Sequence, residues 1–567
     1  MKNLEVAERL NEMAELLELN DVEFKPRAYR KAAMTVEALS EDIEKIANEG
    51  KLEELPGVGK AIAAHIEEII KTGTFKEYEE LKKKSPVKVD ELSSIEGMGP
   101  KTIRKLYKLL GVKNVKELEK AAKKGKIRGI KGLGPTVEEN ILKSIEFSKK
   151  GGGRILLGFA LPSAQEIVNR LKKLKEVNQI SLAGSLRRRK ETIGDVDILV
   201  TSSSPEKVMD FFTSMKEVDD IIARGHTKSS VRLENGIQVD VRVLDDKSFG
   251  AALQYFTGSK GHNIHLRKIA IGKKLKLSEY GLFSGKRMVA GRTEQEVYKR
   301  LGLPYIEPEL REDIGEIESA QQGKLPRIIG YNDIKGDIHT HTDWSDGAES
   351  IEAMAKAAQR LGHRYIAVTD HAGQLKIANS LDEKRVLKQI NEIEKLNKRF
   401  GNFRILTGVE VNIKGDGSLD MKDSVLNKLD IVMGAIHSGF KNPKEKIMKR
   451  LITAMEDENV DAIAHPTGRK IGKREPYDVD FDELFDKAKE TNTALEINAW
   501  PERLDLNDVN VKAAVEAGVN LVIGTDAHNI DHLRFMELGI ATARRGWAES
   551  KNVLNTLPAD KLLRKLK

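Results

Sequence analysis

The chain has 567 residues, 40% of them hydrophobic and 32% charged, and a formal net charge of +8 at pH 7. This length exceeds one hydrophobic core and predicts about three to five domains, while the composition is that of a globular protein and excludes general disorder. The sequence contains no cysteine, so disulfides and thiolate metal sites are excluded and any metal must be held by His, Asp and Glu. The basic charge favours a polyanionic partner such as nucleic acid.

No stretch of the sequence predicts a membrane segment or a targeting leader. There is no run of about 18 apolar residues. The first 20 residues form an amphipathic acidic pattern where a leader would be charged and then apolar. We therefore expect a cytoplasmic protein without a membrane partner.

Residues 1 to about 150 have helical periodicity with three similar glycine-containing breaks: LPGVGKAIAAHI (55–66), IEGMGPKTIRKL (95–106) and IKGLGPTVEENI (130–141). Each predicts a helix, a Gly-x-Gly hairpin and a second helix whose first N–H groups face a phosphate. One hairpin alone is equally compatible with a tight turn, but three in succession predict sequence-independent DNA binding. The candidate DNA-binding residues are Gly57, Gly59, Lys60, Gly97, Gly99, Lys101, Gly132 and Gly134.

From residue 151 to about 315, strands alternate irregularly with helices and predict an α+β region. Asp195 and Asp197 lie two apart in AGSLRRRKETIGDVDILV (183–200), so a strand would direct both carboxylates to one face. Asp240 lies in a second strand, IQVDVRV. Three carboxylates suit two Mg²⁺ ions that assist a phosphoryl transfer. The Asp-x-Asp pair taken alone is more typical of a solvated strand edge.

Residues just before this pair favour the catalytic interpretation. Gly184 and Ser185 offer backbone N–H and hydroxyl groups to a triphosphate, and Arg188 offers charge-assisted hydrogen bonds. This combination is the nucleotidyltransferase signature. Downstream, QYFTGSKGHNIHLR (254–267) resembles the nucleotide-binding segment of DNA polymerase beta, although a Tyr-Phe pair alone is more often part of a core.

The resemblance to family X DNA polymerases covers residues 1 to about 315. It implies that Tyr255 and Phe256 pack on the sugar and discriminate against a 2′-OH. It also implies a turn at Gly258 and Ser259, a minor-groove contact from Asn263 and a template contact from Arg267. The activity implied is template-directed gap filling on gapped or nicked DNA with dNTP and Mg²⁺, in repair of the base-excision type, by a monomer.

The same resemblance implies a division of this part of the chain. The expected regions are a helical lyase-like DNA-binding domain (1–85), helical fingers (86–150), a palm (151–245), a thumb (246–315) and a polar linker (316–335). One position departs from the family, because alignment on the hairpin glycines puts His65 where the lyase lysine lies. An imidazole cannot form a stable imine, so we expect weak or absent lyase activity, with Lys60 and Lys71 as the near substitutes.

From residue 336 to 567, short apolar strands alternate with helices: DIHTHT, YIAVTDH, FRILTGVEVNI, LDIVMGAIH, VDAIAHP, ALEINAW and NLVIGTDAH. Seven such strands predict an α/β domain with an incomplete or distorted parallel barrel. A lone histidine at a strand end is usually a core residue, but six of the twelve histidines fall in one series of strand-end ligands. The series is His339, His341, Asp346, His371, Glu410, His437, His465, Asp526 and His528.

This series resembles the PHP (polymerase and histidinol phosphatase) family at all nine positions. The resemblance implies a distorted (β/α)7 barrel with up to three Mn²⁺ or Zn²⁺ ions. The implied groups are His339, His341, Glu410 and Asp526; Glu410, His437 and His465; and Asp346, His371 and His528. Metal-assisted hydrolysis of phosphoesters would follow, as a 3′–5′ exonuclease with 3′-end processing and abasic-site incision.

Two other hypotheses remain open from the sequence. A DNA-binding scaffold with a metal-stabilised platform is opposed by the complete ligand set. A small-molecule phosphatase such as histidinol phosphatase fits the C-terminal part alone and is opposed by the hairpins and the three palm aspartates.

Overall fold

The computed structural model describes residues 2–19, 22, 24–37, 43–84, 87–88, 92, 98, 100–130, 133–134, 137–138, 141–142, 145, 154–374 and 378–566. Within these residues no helix is long and apolar enough to cross a membrane.

The N-terminal region is helical, as predicted. Its helices are Lys2–Leu19, Lys25–Glu37, Ile43–Asn48, Lys60–Thr72, Lys76–Lys84, Pro100–Leu110 and Val115–Lys123. The helix Lys60–Thr72 ends at Gly73, whose left-handed φ of 77° lets its N–H bond the Ile69 carbonyl. One apolar core joins residues on both sides of the predicted boundary at residue 85, from Leu10 to Ile103 and Leu118. The two predicted helical domains therefore share their packing.

The predicted palm contains a five-stranded sheet of β2 (Gln179–Leu182), β4 (Val196–Thr201), β5 (Val218–Arg224), β6 (Lys228–Leu233) and β7 (Gln238–Leu244). Its strand order is β2-β4-β7-β6-β5, and a short separate pair is formed by β1 (Ile155–Leu156) and β3 (Thr192–Ile193). β4 and β7 run parallel, with Asp197 beside Asp240. The palm helices are Leu157–Leu171, Gly184–Arg187 and Pro205–Thr213. This register places predicted catalytic residues side by side.

The thumb combines helices with a small antiparallel sheet. The helices are Phe249–Thr257, Lys260–Gly272 and Glu294–Leu301, and the strands are β8 (Lys276–Ser278), β9 (Gly281–Ser284) and β10 (Arg287–Ala290). The predicted linker 316–335 is itself folded: it begins with the helix Glu316–Gln321, Ile317 is fully buried in the thumb core, and Ile329 is fully buried in the core of the C-terminal domain. The buried Glu316 carboxylate accepts hydrogen bonds from the Asp313 and Ile314 N–H groups. The polar composition of residues 316–335 predicted a linker, but the segment is packed.

The C-terminal domain is the predicted parallel barrel. Seven strands follow one path: β11 (Gly336–Asp337), β12 (Tyr365–Val368), β14 (Arg404–Asn412), β15 (Ile431–Ala435), β16 (Ala462–Ile463), β17 (Ala494–Asn498) and β18 (Leu521–Gly524). A short eighth strand, β13 (His371–Ala372), lies off this path and pairs with β14. A single bridge from Thr340 to Ala527 joins the two ends of the path. The barrel is thus nearly closed.

Helices surround this barrel and one of them meets the palm. They are Ile351–Arg360, Glu383–Phe400, Asp423–Leu426, Lys444–Glu456, Phe481–Glu490, Asp508–Ala517, Met536–Arg545 and Ala559–Leu563. Leu504 and Leu538 of the barrel domain are buried in the palm core. A Cβ on Gly158 would lie 2.7 Å from Pro501 Cβ, so only glycine permits this close approach. The palm and the barrel domain are packed together.

Candidate functional site

The three palm carboxylates meet at the edge of β4 and β7. Asp197 lies in β4 next to Asp240 of β7, and Asp195 immediately precedes β4. Gly184 makes room for them: its φ is 62°, and a Cβ there would lie 2.5 Å from Asp197 Oδ2. A larger residue at position 184 would therefore displace a candidate metal ligand.

Burial and mutual repulsion raise the pKa of two of the three carboxylates. Burial, together with Asp195 and Asp240, raises the pKa of Asp197 to about 7. Burial and Asp240 also raise the pKa of Asp195. Burial would raise the pKa of Asp240 as well, but hydrogen bonds, first that from Lys228 at 2.7 Å, hold the pKa below its ordinary value. Such a crowded set of oxygen donors fits Mg²⁺, whose charge would relieve the repulsion.

The predicted nucleotide-binding residues lie along two thumb helices that meet at Gly258 and Ser259. The Ser259 side chain caps the second helix by accepting from the His262 N–H. Tyr255 and Phe256 end the first helix as an edge-to-face pair with ring centroids 5.1 Å apart. Asn263 is buried and donates to the Tyr255 carbonyl at 2.6 Å. Arg267 is half-buried and donates to the Asn263 carbonyl at 3.2 Å.

Arg188 is tied to both the thumb and the barrel domain. Its Nε donates to Glu312 Oε1 at 3.0 Å, and its Nη1 donates to the Thr257 carbonyl. Arg545 of the barrel domain donates to the Arg188 carbonyl at 2.8 Å and to Glu312 Oε1 at 2.9 Å. Ser185 lies half-buried one turn earlier, in the short helix that begins at Gly184. Sequence reasoning did not find Glu312 or Arg545, because both are distant in the chain.

The first hairpin of the helical region has the predicted form. Gly57 adopts a φ of 86°, and Gly59 is the N-cap of the helix that begins at the exposed Lys60. Gly134 follows the bridge between Ile130 and Leu133, and Lys101 lies in the helix Pro100–Leu110. Three further predicted residues lie outside the described part of the chain: Gly97, Gly99 and Gly132.

His65 is engaged in packing. Its Nδ1 lies 2.8 Å from the Tyr29 hydroxyl, and its ring stacks on Phe75 at 4.4 Å. Burial lowers its pKa. The two substitute candidates, Lys60 and Lys71, are both exposed.

The nine predicted ligands of the barrel domain converge at the carboxyl ends of its strands. Three groups have ligand atoms within 4.8 Å of one another: His339, His341 and Asp526; His371, Glu410 and His437; and His341, Asp346, His371 and His528. His341 and His371 each belong to two of these groups, whereas the sequence analysis assigned each of them to one group. The three groups therefore form one connected cluster. Asp526 and His465 have positive φ values of 55° and 32°, the kind of backbone strain found at functional sites.

Glu410 lies at the centre of this cluster. Its Oε1 is 2.8 Å from His465 Nε2 and 3.1 Å from His437 Nε2. Its Oε2 is 2.8 Å from His371 Nδ1 and 3.6 Å from His339 Nε2. The side chain is 1% exposed. One carboxylate can therefore bridge two cations.

The chemistry of the cluster fits several divalent cations. The Nε2 atoms of His339 and His341 face each other at 3.2 Å, and the Nδ1 atoms of His341, His437 and His465 are buried without a partner among the described residues. Burial and neighbouring imidazoles lower the pKa of His341 to about 3, which favours a neutral ring with a lone pair on one nitrogen. Imidazole and carboxylate donors suit Mn²⁺ or Zn²⁺.

A second layer of polar residues holds the ligands in place, and the sequence reasoning missed it. Glu496, fully buried, lies 2.6 Å from His339 Nδ1 and accepts from the His465 N–H at 2.6 Å. Asn498 donates to Asp526 Oδ2 at 3.1 Å. The available signal was a glutamate inside the apolar strand ALEINAW, because a buried charge needs a partner.

Family models match along most of the chain. They are the helix-hairpin-helix domain (residues 1–75), the SAM-like helix-hairpin-helix tandem (89–146), the DNA polymerase beta palm (162–249), the DNA polymerase beta thumb (252–312) and the PHP domain (337–499).

Individual relatives match the whole chain or one of its parts. The DNA polymerase/3′-5′ exonuclease PolX of Bacillus subtilis (strain 168) is 42% identical over 98% of this chain and 97% of its own. A probable phosphatase of Thermoanaerobacter sp. (strain X514) is 33% identical over 39% of this chain and 89% of its own. DNA polymerase lambda of Arabidopsis thaliana is 28% identical over 50% of this chain and 57% of its own. The chain belongs to the PolX family, the family X DNA polymerases that carry a C-terminal PHP domain.

Proposed function

We propose that the protein is a template-directed DNA polymerase that fills short gaps during base-excision-type repair and removes 3′ nucleotides at its PHP centre. The observation that carries this proposal is the presence of two separate candidate metal sites with different donors. One has the carboxylates of Asp195, Asp197 and Asp240. The other has the histidine-rich cluster around Glu410. Membership of the PolX family supports both activities.

In the palm, the proposed role of the side chains is to hold and orient the incoming nucleotide. Two Mg²⁺ ions, when bound by the three aspartates, would supply charge for the attacking and leaving oxygens. The Gly184 and Ser185 N–H groups and the Arg188 guanidinium bind the triphosphate. Tyr255 and Phe256 contact the sugar. We therefore expect deoxynucleotides to be preferred, and equal incorporation of ribonucleotides in a primer-extension assay would contradict the sugar contact.

In the PHP domain, the nine ligands would hold up to three ions, which would lower the pKa of a nearby water and draw charge from the phosphate when bound. Glu496 fixes the orientation of His339 through Nδ1, so that Nε2 faces the centre. The buried position of Glu410 keeps bulk water from competing for its oxygens. These groups position a phosphodiester for hydrolysis.

One gapped DNA substrate tests both activities. With dNTPs and Mg²⁺ the primer is extended across the gap, and without dNTPs and with Mn²⁺ it is shortened from its 3′ end. Mn²⁺ is the expected activator, although Zn²⁺ binds such donors more tightly. Absence of extension by the intact protein would refute the polymerase, and absence of shortening would refute the exonuclease.

We further propose that abasic sites are cut hydrolytically by the PHP centre. The N-terminal domain carries His65 in place of the lyase lysine, and its ring is engaged with Tyr29 and Phe75. Borohydride should therefore trap little covalent adduct on a 5′-deoxyribose-phosphate end. His339→Ala should lose abasic incision. A strong adduct would contradict the first expectation, and undiminished incision by the variant would contradict the second.

A further inference from the structure

Three basic residues lie beside the PHP centre, and we call them the rim cations: Lys470, Arg474 and Arg503. Lys470 and Arg474 pair across a tight hairpin, where each N–H donates to the other's carbonyl at 2.8 Å. Gly472 turns the hairpin with a φ of 70°. Arg503 comes from the loop after β17 and lies 3.5 Å from Asp526, measured from Nε to Oδ2.

The rim cations are incompletely neutralised within the described part of the chain. Arg503 is 13% exposed, yet its Nη1 is buried without a hydrogen-bond partner. No ion pair is formed by the Lys470 ammonium there. Arg474 donates its Nε to the Gly468 carbonyl and stacks on Phe440 at 3.8 Å, which leaves its charge unpaired as well. A buried donor without a partner is costly, and an anionic oxygen is a partner that would satisfy the Arg503 Nη1.

Nearby acidic groups are already engaged. Glu502 pairs with Lys473 at 2.6 Å. Asp505 accepts from the Thr467 N–H and hydroxyl at 3.0 and 2.9 Å. Asp526 turns its other oxygen to the metal-ligand cluster. Burial and the two arginines lower the pKa of Lys470, in keeping with an excess of positive charge.

The palm holds this rim in place. Ile471 packs against the palm core. Arg469, the residue before Lys470, donates to Glu191 of the palm at 2.6 Å and to the Arg503 and Leu504 carbonyls at 2.8 and 2.7 Å. The rim therefore lies where the polymerase body meets the hydrolytic centre.

We propose that the rim cations form a subsite for the non-scissile backbone phosphate next to the phosphodiester that is hydrolysed. Every internal link of a DNA strand brings a second anion beside the reacting one, and a guanidinium with a free Nη1 matches its oxygens. The subsite selects polynucleotides over single phosphoesters. This inference rests on the proposed exonuclease.

The alternative is that Arg503 only orients Asp526, and two substrates separate the cases. One is a 5′-labelled single-stranded oligonucleotide, and the other is thymidine 5′-(p-nitrophenyl phosphate), which has one phosphodiester. Arg503→Met and Lys470→Met should each lower the ratio of kcat/KM for DNA to kcat/KM for the ester by at least about tenfold. Lys449→Met, at an exposed position on the helix Lys444–Glu456 of the same domain, should leave both values unchanged.

Binding provides a measure that does not depend on bound metal. Fluorescence anisotropy of labelled tetrathymidylate with the metal-free full chain should show weaker binding for Arg503→Met and Lys470→Met. The slope of log affinity against log salt should fall by roughly 0.7 for each lost cation. Lys449→Met is again the control.

Three results would contradict the proposed phosphate subsite. Equal losses on DNA and ester, with reduced metal content in Arg503→Met, would show that Arg503 only supports Asp526. An unchanged ratio for Lys470→Met would also overturn the subsite. If the wild-type protein hydrolyses the ester but does not shorten DNA, the exonuclease itself is refuted, and the subsite with it.

Discussion

The palm and PHP centres use different donors in different surroundings. The palm site consists of three carboxylates at the start of two adjacent strands, and burial together with the two neighbouring carboxylates raises the pKa of Asp197 to about 7. The PHP site gathers nine donors around the strand ends of a nearly closed barrel, and Glu410 is almost fully buried within it. The palm site therefore offers few donor atoms, all of them carboxylate oxygens, whereas the PHP site offers many, both imidazole nitrogens and carboxylate oxygens.

The difference in donor number suggests that the two sites acquire their metal ions in different ways. Three carboxylates leave most of the octahedral positions of Mg²⁺ unfilled, so nucleotide phosphates and water must complete them. The PHP cluster offers nine donors, so protein ligands would hold its ions with positions left for water and the phosphate, and Glu496 orients one of those ligands, His339. We therefore expect the palm metal to arrive with substrate and the PHP metals to be resident.

The largest expected effect separates the two sites. Asp195→Ala combined with Asp197→Ala should reduce nucleotide addition at least about 1,000-fold, because the charges that assist phosphoryl transfer are lost. Degradation from the 3′ end should continue, since its ligands lie on another domain. Primer extension and shortening on one gapped substrate measure both. Asp219→Ala, an exposed palm aspartate, is the control, and near-normal extension by the double variant would refute the palm assignment.

The reciprocal change is Glu410→Gln. Loss of the central carboxylate should lower 3′–5′ degradation by more than about 100-fold, above the loss typical of outer residues, while extension persists. The metal content of the purified variant should also fall. Glu394→Gln, on an exposed helix face of the same domain, is the matched control. Undiminished degradation would show that the activity resides elsewhere.

A smaller effect tests whether the PHP metals are resident. Glu496→Gln keeps the shape of the side chain but removes the charge next to His339 Nδ1. We expect metal affinity to fall about 10- to 100-fold, with full degradation restored by excess Mn²⁺. Titration of Mn²⁺ into chelated protein measures this. A variant that matches the wild-type titration would show that Glu496 does not support the centre.

The smallest effect concerns the link between the two regions. Arg545→Met removes the donor that bonds the Arg188 carbonyl and Glu312. If Arg188 binds the triphosphate, KM for dNTP should rise about three- to tenfold with kcat nearly constant. Arg534→Met, exposed in the same domain, should behave as wild type. An unchanged KM would mean that the PHP domain does not position Arg188.

Local patterns in the sequence were sufficient for the family and for the fold class, and both predictions are confirmed. Strand and helix alternation predicted seven strands on the barrel path, because buried parallel strands form apolar runs. Short motifs carried the candidate site residues, since Asp195-x-Asp197 and the strand-end histidines need no distant information. Their roles remain predictions, although the structure brings them together.

Tertiary packing decided the rest. Glu496, Arg503 and Arg545 act on residues far away in the chain, and nothing in their local sequence names those partners. The polar segment 316–335 is packed because Glu316 and Ile317 find partners in the thumb and Ile329 finds them in the barrel domain. Periodicity and motifs report which residues are apolar or reactive, but the partner of a buried charge is chosen only when distant surfaces meet.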